Sequence, residues 1–265
     1  MAQVKPKKAL GQHFLTDLSV AAKIAATLND YVGMPVLEIG PGMGVLTRPL
    51  LEAGHDLTVV EIDRESVEYL DRNFPELKGH IIEGDFLQLD LAKIFDGRKF
   101  CVIGNYPYNI SSQIFFKVLD YKNMVPCCSG MLQREVAERI AAPEGSKVRG
   151  ILSVLLQAWY DIDYLFTVSE RVFNPPPKVK SGVIIMRRNG VNDLGCDEAL
   201  FKKVVKTTFG QRRKTIRNSV KSLLPPGAAM SDDNPLLAMR PEQLSVSQFI
   251  QLTNYVSQIC KEVRQ

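Results

Sequence analysis

The sequence predicts an α/β protein: a mostly parallel β-sheet covered by helices, with an antiparallel hairpin at one edge, followed by a small all-α domain. Three observations predict it. Short apolar strands alternate with helical patterns from about residue 36 to residue 105, as βαβ units do. A glycine-rich turn directly follows the first of those strands. After Arg188 the strand pattern stops and apolar residues recur at helical spacing.

Taken in order, Val36–Ile39 is an apolar run stopped by Gly40-Pro41-Gly42, a strand closed by a tight turn. Residues 45–53 read as a helix, 56–63 as the second strand and 65–74 as the next helix. Residues 80–82 and 100–103 give the third and fourth strands, and 129–133, 162–168 and 182–186 are further strands. The last two have no convincing helix between them, which predicts the edge hairpin. Residues 189–195 read as a linker, and helices follow at about 197–208, 212–223 and 245–262. The predicted division is a sheet domain with a basic N-terminal segment over 1–188 and a helical domain over 189–265. There are no internal repeats.

Composition narrows the function classes. The chain has 265 residues, 33 Lys+Arg against 29 Asp+Glu, 45% hydrophobic and 23% charged residues, which suits a globular protein with a substantial core. It excludes a disordered chain, a coiled coil and a disulfide scaffold. No apolar run approaches the ~20 residues of a membrane span, so no membrane partner is expected. Met1 to Lys8 carries charge without an apolar stretch behind it, which excludes a secretory signal. The first thirty residues lack Arg and hold a single Ser, which argues against a mitochondrial leader. Cys101, Cys127, Cys128, Cys196 and Cys260 contain no CxxC pair, and His13, His55 and His80 are widely spaced. Neither a disulfide framework nor a metal site reads from that spacing; reduced cysteines in the cytoplasm are expected. Nothing demands more than a monomer.

The small net charge of +4 hides an asymmetry. Residues 1–188 carry 22 basic and 22 acidic side chains, whereas 189–265 carry 11 and 7 and so supply the whole excess. Between 201 and 221 there are eight Lys and Arg and no acid, among them Arg212, Arg213, Lys214 and Arg217. Such a run is either a solvated helix face or a nucleic-acid contact. A smaller basic group, Lys5, Lys7 and Lys8, opens the chain.

Glu38-Ile39-Gly40-Pro41-Gly42-Met43-Gly44 sets three glycines after the first strand, where backbone can approach a ligand closely. The dinucleotide pattern GxGxxG fails at Val45, so the match is GxGxG, equally compatible with a tight turn. Glu61 ends the second strand 21 residues after Gly40, where an acid receives ribose hydroxyls. Asp85 ends the third strand, within reach of an adenine amino group in the same crevice. A glycine loop, a ribose acid and an adenine acid on three successive strand ends resemble the S-adenosylmethionine-binding, Rossmann-like sheet of class I methyltransferases.

Asn105-Tyr106-Pro107-Tyr108 follows the fourth strand. It resembles the [DNS]-P-P-[YF] signature of methyltransferases acting on planar exocyclic amines, in the N-x-P-Y form used on RNA adenine. The residue types suit the chemistry. An aromatic amine has its lone pair delocalised into the ring; the Asn105 oxygen and the Tyr106 or Pro107 carbonyl can accept its two hydrogens and build negative charge on nitrogen. Pro107 shapes the turn, and Tyr108 offers a ring for the base, a stack worth ~1–3 kcal/mol. The product amine loses its proton readily, so no strong base is needed. Cytosine-C5 chemistry fails here, because the sole Pro-Cys pair, Pro126-Cys127, comes about twenty residues too late. Phe173, opening Phe173-Asn174-Pro175-Pro176-Pro177-Lys178-Val179-Lys180-Ser181, either closes over the second face of a flipped base or anchors a buried loop.

With these motifs, and with Lys8-Ala9-Leu10-Gly11-Gln12-His13-Phe14-Leu15 and the run from Phe209 to Asn218, the sequence resembles the rRNA small-subunit adenine N6,N6-dimethyltransferase family (KsgA/RsmA type) over most of its length. The resemblance implies S-adenosylmethionine as cofactor and dimethylation of two adjacent adenosines in a hairpin loop near the 3′ end of small-subunit rRNA. It implies a small-subunit assembly particle as partner. Gln12, His13 and Leu15 then line the methionine end, Gly40 the glycine loop, Glu61 the ribose and Asp85 the adenine, with Gly42, Ile62 and Phe86 as further cofactor-binding residues. Asn105 faces both cofactor and target. His13 stands where Asn is also common, and Tyr106 where Leu or Ile is usual. The family's helical domain grips rRNA, which turns Arg212, Arg213, Lys214 and Arg217 into expected phosphate contacts. About six engaged basic groups give a log–log salt slope near roughly −4. Two alternatives remain: a large-subunit, antibiotic-resistance adenine methyltransferase, and a non-catalytic assembly or transcription factor on the same fold.

Overall fold

The computed structural model describes residues 4–7, 10–231 and 233–263; Lys8 and Ala9 of the N-terminal motif lie outside them. The strands are β1 (Phe14–Leu15), β2 (Val36–Ile39), β3 (Leu57–Glu61), β4 (Ile81–Glu83), β5 (Cys101–Asn105), β6 (Cys127–Gln133), β7 (Tyr160–Val168), β8 (Phe173–Asn174) and β9 (Ser181–Arg188). The helices are α1 (Leu18–Ala25), α2 (Thr47–Glu52), α3 (Arg64–Asn73), α4 (Leu91–Ile94), α5 (Ser111–Asp120), α6 (Arg134–Ala141), α7 (Ile151–Gln157), α8 (Glu198–Gly210), α9 (Ile216–Val220) and α10 (Val246–Glu262). None of the described helices is long and apolar enough to cross a membrane.

Seven strands form one sheet in the order β4-β3-β2-β5-β6-β9-β7, while β1 and β8 make a separate two-stranded ribbon. The pairs from β4 through β6 are parallel and β9 runs antiparallel to β6. The antiparallel edge predicted from sequence is therefore present, with β9 inserted between β6 and β7. The chain lays β3 and β4 on one side of β2 and then crosses to β5 on the other. That reversal opens a crevice at the carboxyl ends of β2 and β5, where α/β sheets bind ligands. Every residue of β2 and β3 is buried, because helices cover both faces.

The chain divides into two compact units, one of residues 1–138 with 161–188 and the other of 139–160 with 189–265. This corrects the single cut at residue 188. The reason is local: α7 is apolar nearly all round and buries Leu152, Val154, Leu155 and Leu156, too much apolar surface for a peripheral helix of the sheet. Gly145 N donates to the Glu242 carbonyl at 2.8 Å, and Asn189 N to the Trp159 carbonyl at 3.1 Å, tying this stretch into the second unit.

Within that unit, α10 begins at a capping box: Gln248 N donates to Ser245 Oγ at 3.1 Å and Ser245 N to Gln248 Oε1 at 2.9 Å. The helix predicted over 212–223 is shorter than its spacing suggests. Residues 211–215 form a turn, α9 covers Ile216–Val220, and Lys221–Leu223 is a 3-10 turn. The Arg212 side chain is drawn to the Lys147 carbonyl instead of continuing a helix face.

Candidate active site

In the first unit, a cleft opens at the carboxyl ends of β2, β3, β4 and β5. The glycine loop forms its floor. Gly42 and Gly44 sit at φ +55° and +77°, and a Cβ on them would meet Phe14 Cε1 at 2.8 Å and Phe74 Cζ at 2.2 Å. Glycine is therefore required here by both conformation and close packing.

Glu61 is 4% exposed and holds the loop's shape. Its Oε2 accepts from Gly42 N at 3.0 Å, and Oε1 accepts from Ile62 N and Asp63 N, both at 2.9 Å. Burial raises its pKa against those three hydrogen bonds. A carboxylate has about four acceptor sites, so capacity remains for a diol. Asp85 Oδ1 accepts from Leu87 N at 2.9 Å, leaving Oδ2 for a second donor. Lys117, which sequence reasoning missed, braces that turn: Nζ donates to the carbonyls of Leu87 and Leu89 and lies 5.4 Å from the Phe86 ring centroid.

Glu38, also buried, accepts from Thr47 Oγ1 at 2.7 Å. Burial pushes its pKa up to about 8; the Thr47 hydrogen bond opposes this and the Glu61 charge adds to it. A carboxyl whose folded pKa lies above its unfolded value stabilises fully below the unfolded value, and the contribution is lost as pH rises through the folded value. Between about pH 4.5 and 8 the group costs up to about 1.4 kcal/mol per pH unit. Glu38→Gln is expected to flatten the fall in Tm across that window, read from thermal melts at each pH. An unchanged slope would remove Glu38 as its source.

The N-terminal segment forms another wall and is latched by Asp63. Lys7 Nζ lies 2.5 Å from Asp63 Oδ1 and 3.0 Å from Glu65, and Gln12 Nε2 donates to Asp63 Oδ2 at 3.1 Å. Burial raises the Asp63 pKa, but the hydrogen bonds from Lys7 and Gln12 outweigh it and hold the carboxyl below its usual range. Gln12 also accepts from Lys7 N at 2.8 Å, so its side chain locks the segment while lining the cleft. Neither Lys7 nor Asp63 stands out in the sequence as a site residue, because their pairing spans 56 residues.

At the reacting end, Asn105 Nδ2 donates to the His13 carbonyl at 3.1 Å. This fixes the amide's orientation and leaves Oδ1 without a partner among the described residues. His13 Nδ1 donates to the Pro175 carbonyl at 2.8 Å, and its ring stacks on Tyr108, centroids 5.6 Å apart at 27°. Tyr108 O–H pairs with Ser181 Oγ at 2.5 Å. The Tyr106 ring is turned away and is 1% exposed; its O–H donates to the Ser129 carbonyl at 2.6 Å.

Of the residues predicted for the site, Gln12, His13, Gly40, Gly42, Glu61, Ile62, Asp85, Phe86, Asn105, Tyr106, Pro107 and Tyr108 all line the cleft. Leu15 and Phe173 do not. They pair across β1 and β8, and each is 4% exposed within the hydrophobic core. Leu15 instead borders a smaller pocket beside Glu38 and Asn105. The reading of Phe173 as a lid over a base is thus corrected to the buried anchor, because ribbon pairing turns its ring into the core.

In the second unit, Arg213 and Lys214 are exposed. Arg212 is not a free contact: it donates to the Lys147 carbonyl, and Nε lies 3.6 Å from Glu242. Arg217 Nη2 donates to the Ser231 carbonyl at 3.2 Å. The described residues hold no cluster of His, Cys, Asp and Glu able to bind a metal.

The cleft's donors fit S-adenosylmethionine. Glu61 and Asp85 can accept from hydroxyls and an amine, and Phe86 supplies apolar surface for a purine. Fold and site together define a class I S-adenosylmethionine-dependent methyltransferase. Residues 3–258 match the family described as "Ribosomal RNA adenine dimethylase", and the chain belongs to that family. It is an enzyme, an S-adenosylmethionine-dependent rRNA adenine dimethyltransferase. It is 70% identical over 256 residues to the "Ribosomal RNA small subunit methyltransferase A" of Parabacteroides distasonis, covering 96% of this chain and 94% of the relative. It is 55% identical to the protein of that name in Flavobacterium johnsoniae, covering 97% of each. Among solved structures it is similar to a dimethyladenosine transferase from Plasmodium falciparum, with TM-score 0.74 and 21% identity over 93% of this chain and 98% of that one. It is also similar to the 23S rRNA methyltransferase ErmE, with TM-score 0.65 and 25% identity over 92% and 99%.

Proposed function

We propose that this enzyme dimethylates N6 of two adjacent adenosines in a hairpin loop near the 3′ end of small-subunit rRNA. It acts as a cytoplasmic monomer on a small-subunit assembly particle. The observation that carries this reading is the oriented Asn105 amide, whose Oδ1 has no partner among the described residues in a cleft bordered by Pro107 and Tyr108. Identity of 70% to a relative named for the small subunit, against 25% to one named for 23S rRNA, favours the small-subunit substrate over the large.

When bound, S-adenosylmethionine supplies an electrophilic methyl group. Gly40 and Gly42 give close backbone approach, Glu61 and Ile62 hold the ribose, and Asp85 and Phe86 hold the adenine. Gln12, through Asp63, keeps the N-terminal wall in place. His13, its Nδ1 committed to the Pro175 carbonyl, stands at the methionine end of the cleft. Asn105 Oδ1 accepts one hydrogen of the target amine and a backbone carbonyl of the 105–108 turn accepts the other. That builds charge on nitrogen and fixes its line of attack. Tyr108, steadied by His13 and Ser181, gives the base a flat surface. Residues 1–138 with 161–188 form the cofactor-binding catalytic unit. Residues 139–160 with 189–265 form the rRNA-binding unit, with Arg213 and Lys214 as phosphate contacts.

Incubation with labelled S-adenosylmethionine and separately purified unmethylated small and large subunits tests this. Label is expected in small-subunit rRNA as N6,N6-dimethyladenosine. Label in the large subunit would move the substrate to 23S-type rRNA. No transfer despite cofactor binding would favour an assembly factor.

A further inference from the structure

The second unit contains a feature that its sequence run of basic residues does not reveal. Residues 145–149, far away in sequence, form a short loop hydrogen-bonded beside the 211–215 turn. Arg212 donates to the Lys147 carbonyl, and Gly145 N donates to the carbonyl of Glu242, whose carboxylate lies 3.6 Å from Arg212 Nε.

The loop is also held from below. Arg149 is 2% exposed; its Nη1 donates to the Ala142 carbonyl and to Gln157 Oε1, both at 2.6 Å. Its backbone N–H donates to the Ser146 carbonyl at 3.1 Å. With Arg149 drawn inward, the two residues before it are thrust outward. Lys147 is exposed and Val148 is 50% exposed. Lys147, Arg213 and Lys214 have no carboxylate partner among the described residues.

From this we infer that the 145–149 loop is a second RNA-binding element, with Lys147 contacting backbone phosphate and Val148 packing on sugar or base-edge surface beside the Arg213–Lys214 contacts. The inference rests on the reading of this unit as the rRNA-binding one. Three points favour it over a merely solvated lysine. The loop is ordered in advance, so little conformational entropy is lost on binding. Its charge adds to an existing basic turn. An exposed valine beside a lysine matches a mixed phosphate and sugar surface better than bulk water does. Arg212 is then a positioning residue that joins the two elements.

The test uses full-length enzyme and unmethylated small subunits, with affinity measured against salt concentration. Lys147→Glu is expected to weaken binding about tenfold at low salt and to make the log–log slope shallower by about 1. Tm and S-adenosylmethionine affinity are expected to stay at wild-type values, and Lys147→Arg to restore binding. The paired variant Arg213→Glu/Lys214→Glu separates the two readings. If it loses affinity while Lys147→Glu does not, the loop is no RNA element, although the unit still is. If neither variant weakens binding, the rRNA-binding reading of the unit fails and the loop with it.

Discussion

Asn105→Ala is expected to lower the methyl-transfer rate by about 10²–10³-fold while Tm falls by only a few degrees. The first figure is the usual loss when a group that stabilises developing charge is removed from a water-poor site. The second follows from losing one partly buried hydrogen bond, Asn105 Nδ2 to the His13 carbonyl at 3.1 Å, worth about 1 kcal/mol. Asn105→Asp discriminates the cause. It keeps an acceptor oxygen but cannot donate to His13, so two oxygens face each other and the side chain loses its fixed direction. If alignment matters, Asn105→Asp transfers methyl nearly as slowly as Asn105→Ala; if acceptor chemistry alone suffices, it retains most of the rate. Single-turnover transfer to unmethylated small subunits gives the rate, and melts give the stability. A variant that methylates at the wild-type rate without this amide would remove Asn105 from the reaction.

Much of this site is legible in the sequence, for identifiable reasons. The glycine loop, Glu61, Asp85 and the Asn105–Tyr108 turn all lie where a short apolar strand stops. A change of periodicity beside Gly, Pro or an acid is a local signal. What escapes depends on distant pairings. Asp63 latches Lys7 and Gln12 from more than fifty residues away. The proline-rich loop leaves Phe173 open between a ring over the base and a buried anchor, and its pairing with Leu15 decides for the anchor. Residues 139–160 lie between strands of the sheet, and only the all-round burial of α7 marks them for the other unit. The basic run is legible as charge, but its division into tied Arg212 and exposed Arg213 is not, since the tie is a backbone carbonyl.

The Tyr106 ring is another such distant pairing, and Gly130→Ala beside it is expected to cost both stability and rate. The sequence gives this side chain little to do, because only its backbone carbonyl faces the chemistry. In the structure the ring fills a slot over Gly104 and Gly130, which face each other across β5 and β6. A Cβ on Gly130, at φ +153°, would lie 2.3 Å from the Gly104 carbonyl oxygen and 2.7 Å from Tyr106 Cε2. Gly130→Ala therefore forces the strands apart and lifts the ring that anchors the catalytic turn. Overpacking and backbone strain together are expected to cost about 3 kcal/mol, a Tm drop of roughly 6–12 °C for a unit of this size. Transfer should fall about 10²-fold as well, since a displacement near 1 Å at the reacting group is enough. Adding Tyr106→Leu tells ring from backbone. The shorter contact is with the carbonyl oxygen, which cannot rotate away, so the double variant is expected to melt no higher than Gly130→Ala. Recovery to the Tm of Tyr106→Leu alone would assign the strain to the ring, and a wild-type Tm for Gly130→Ala itself would mean that the sheet yields at this point without cost.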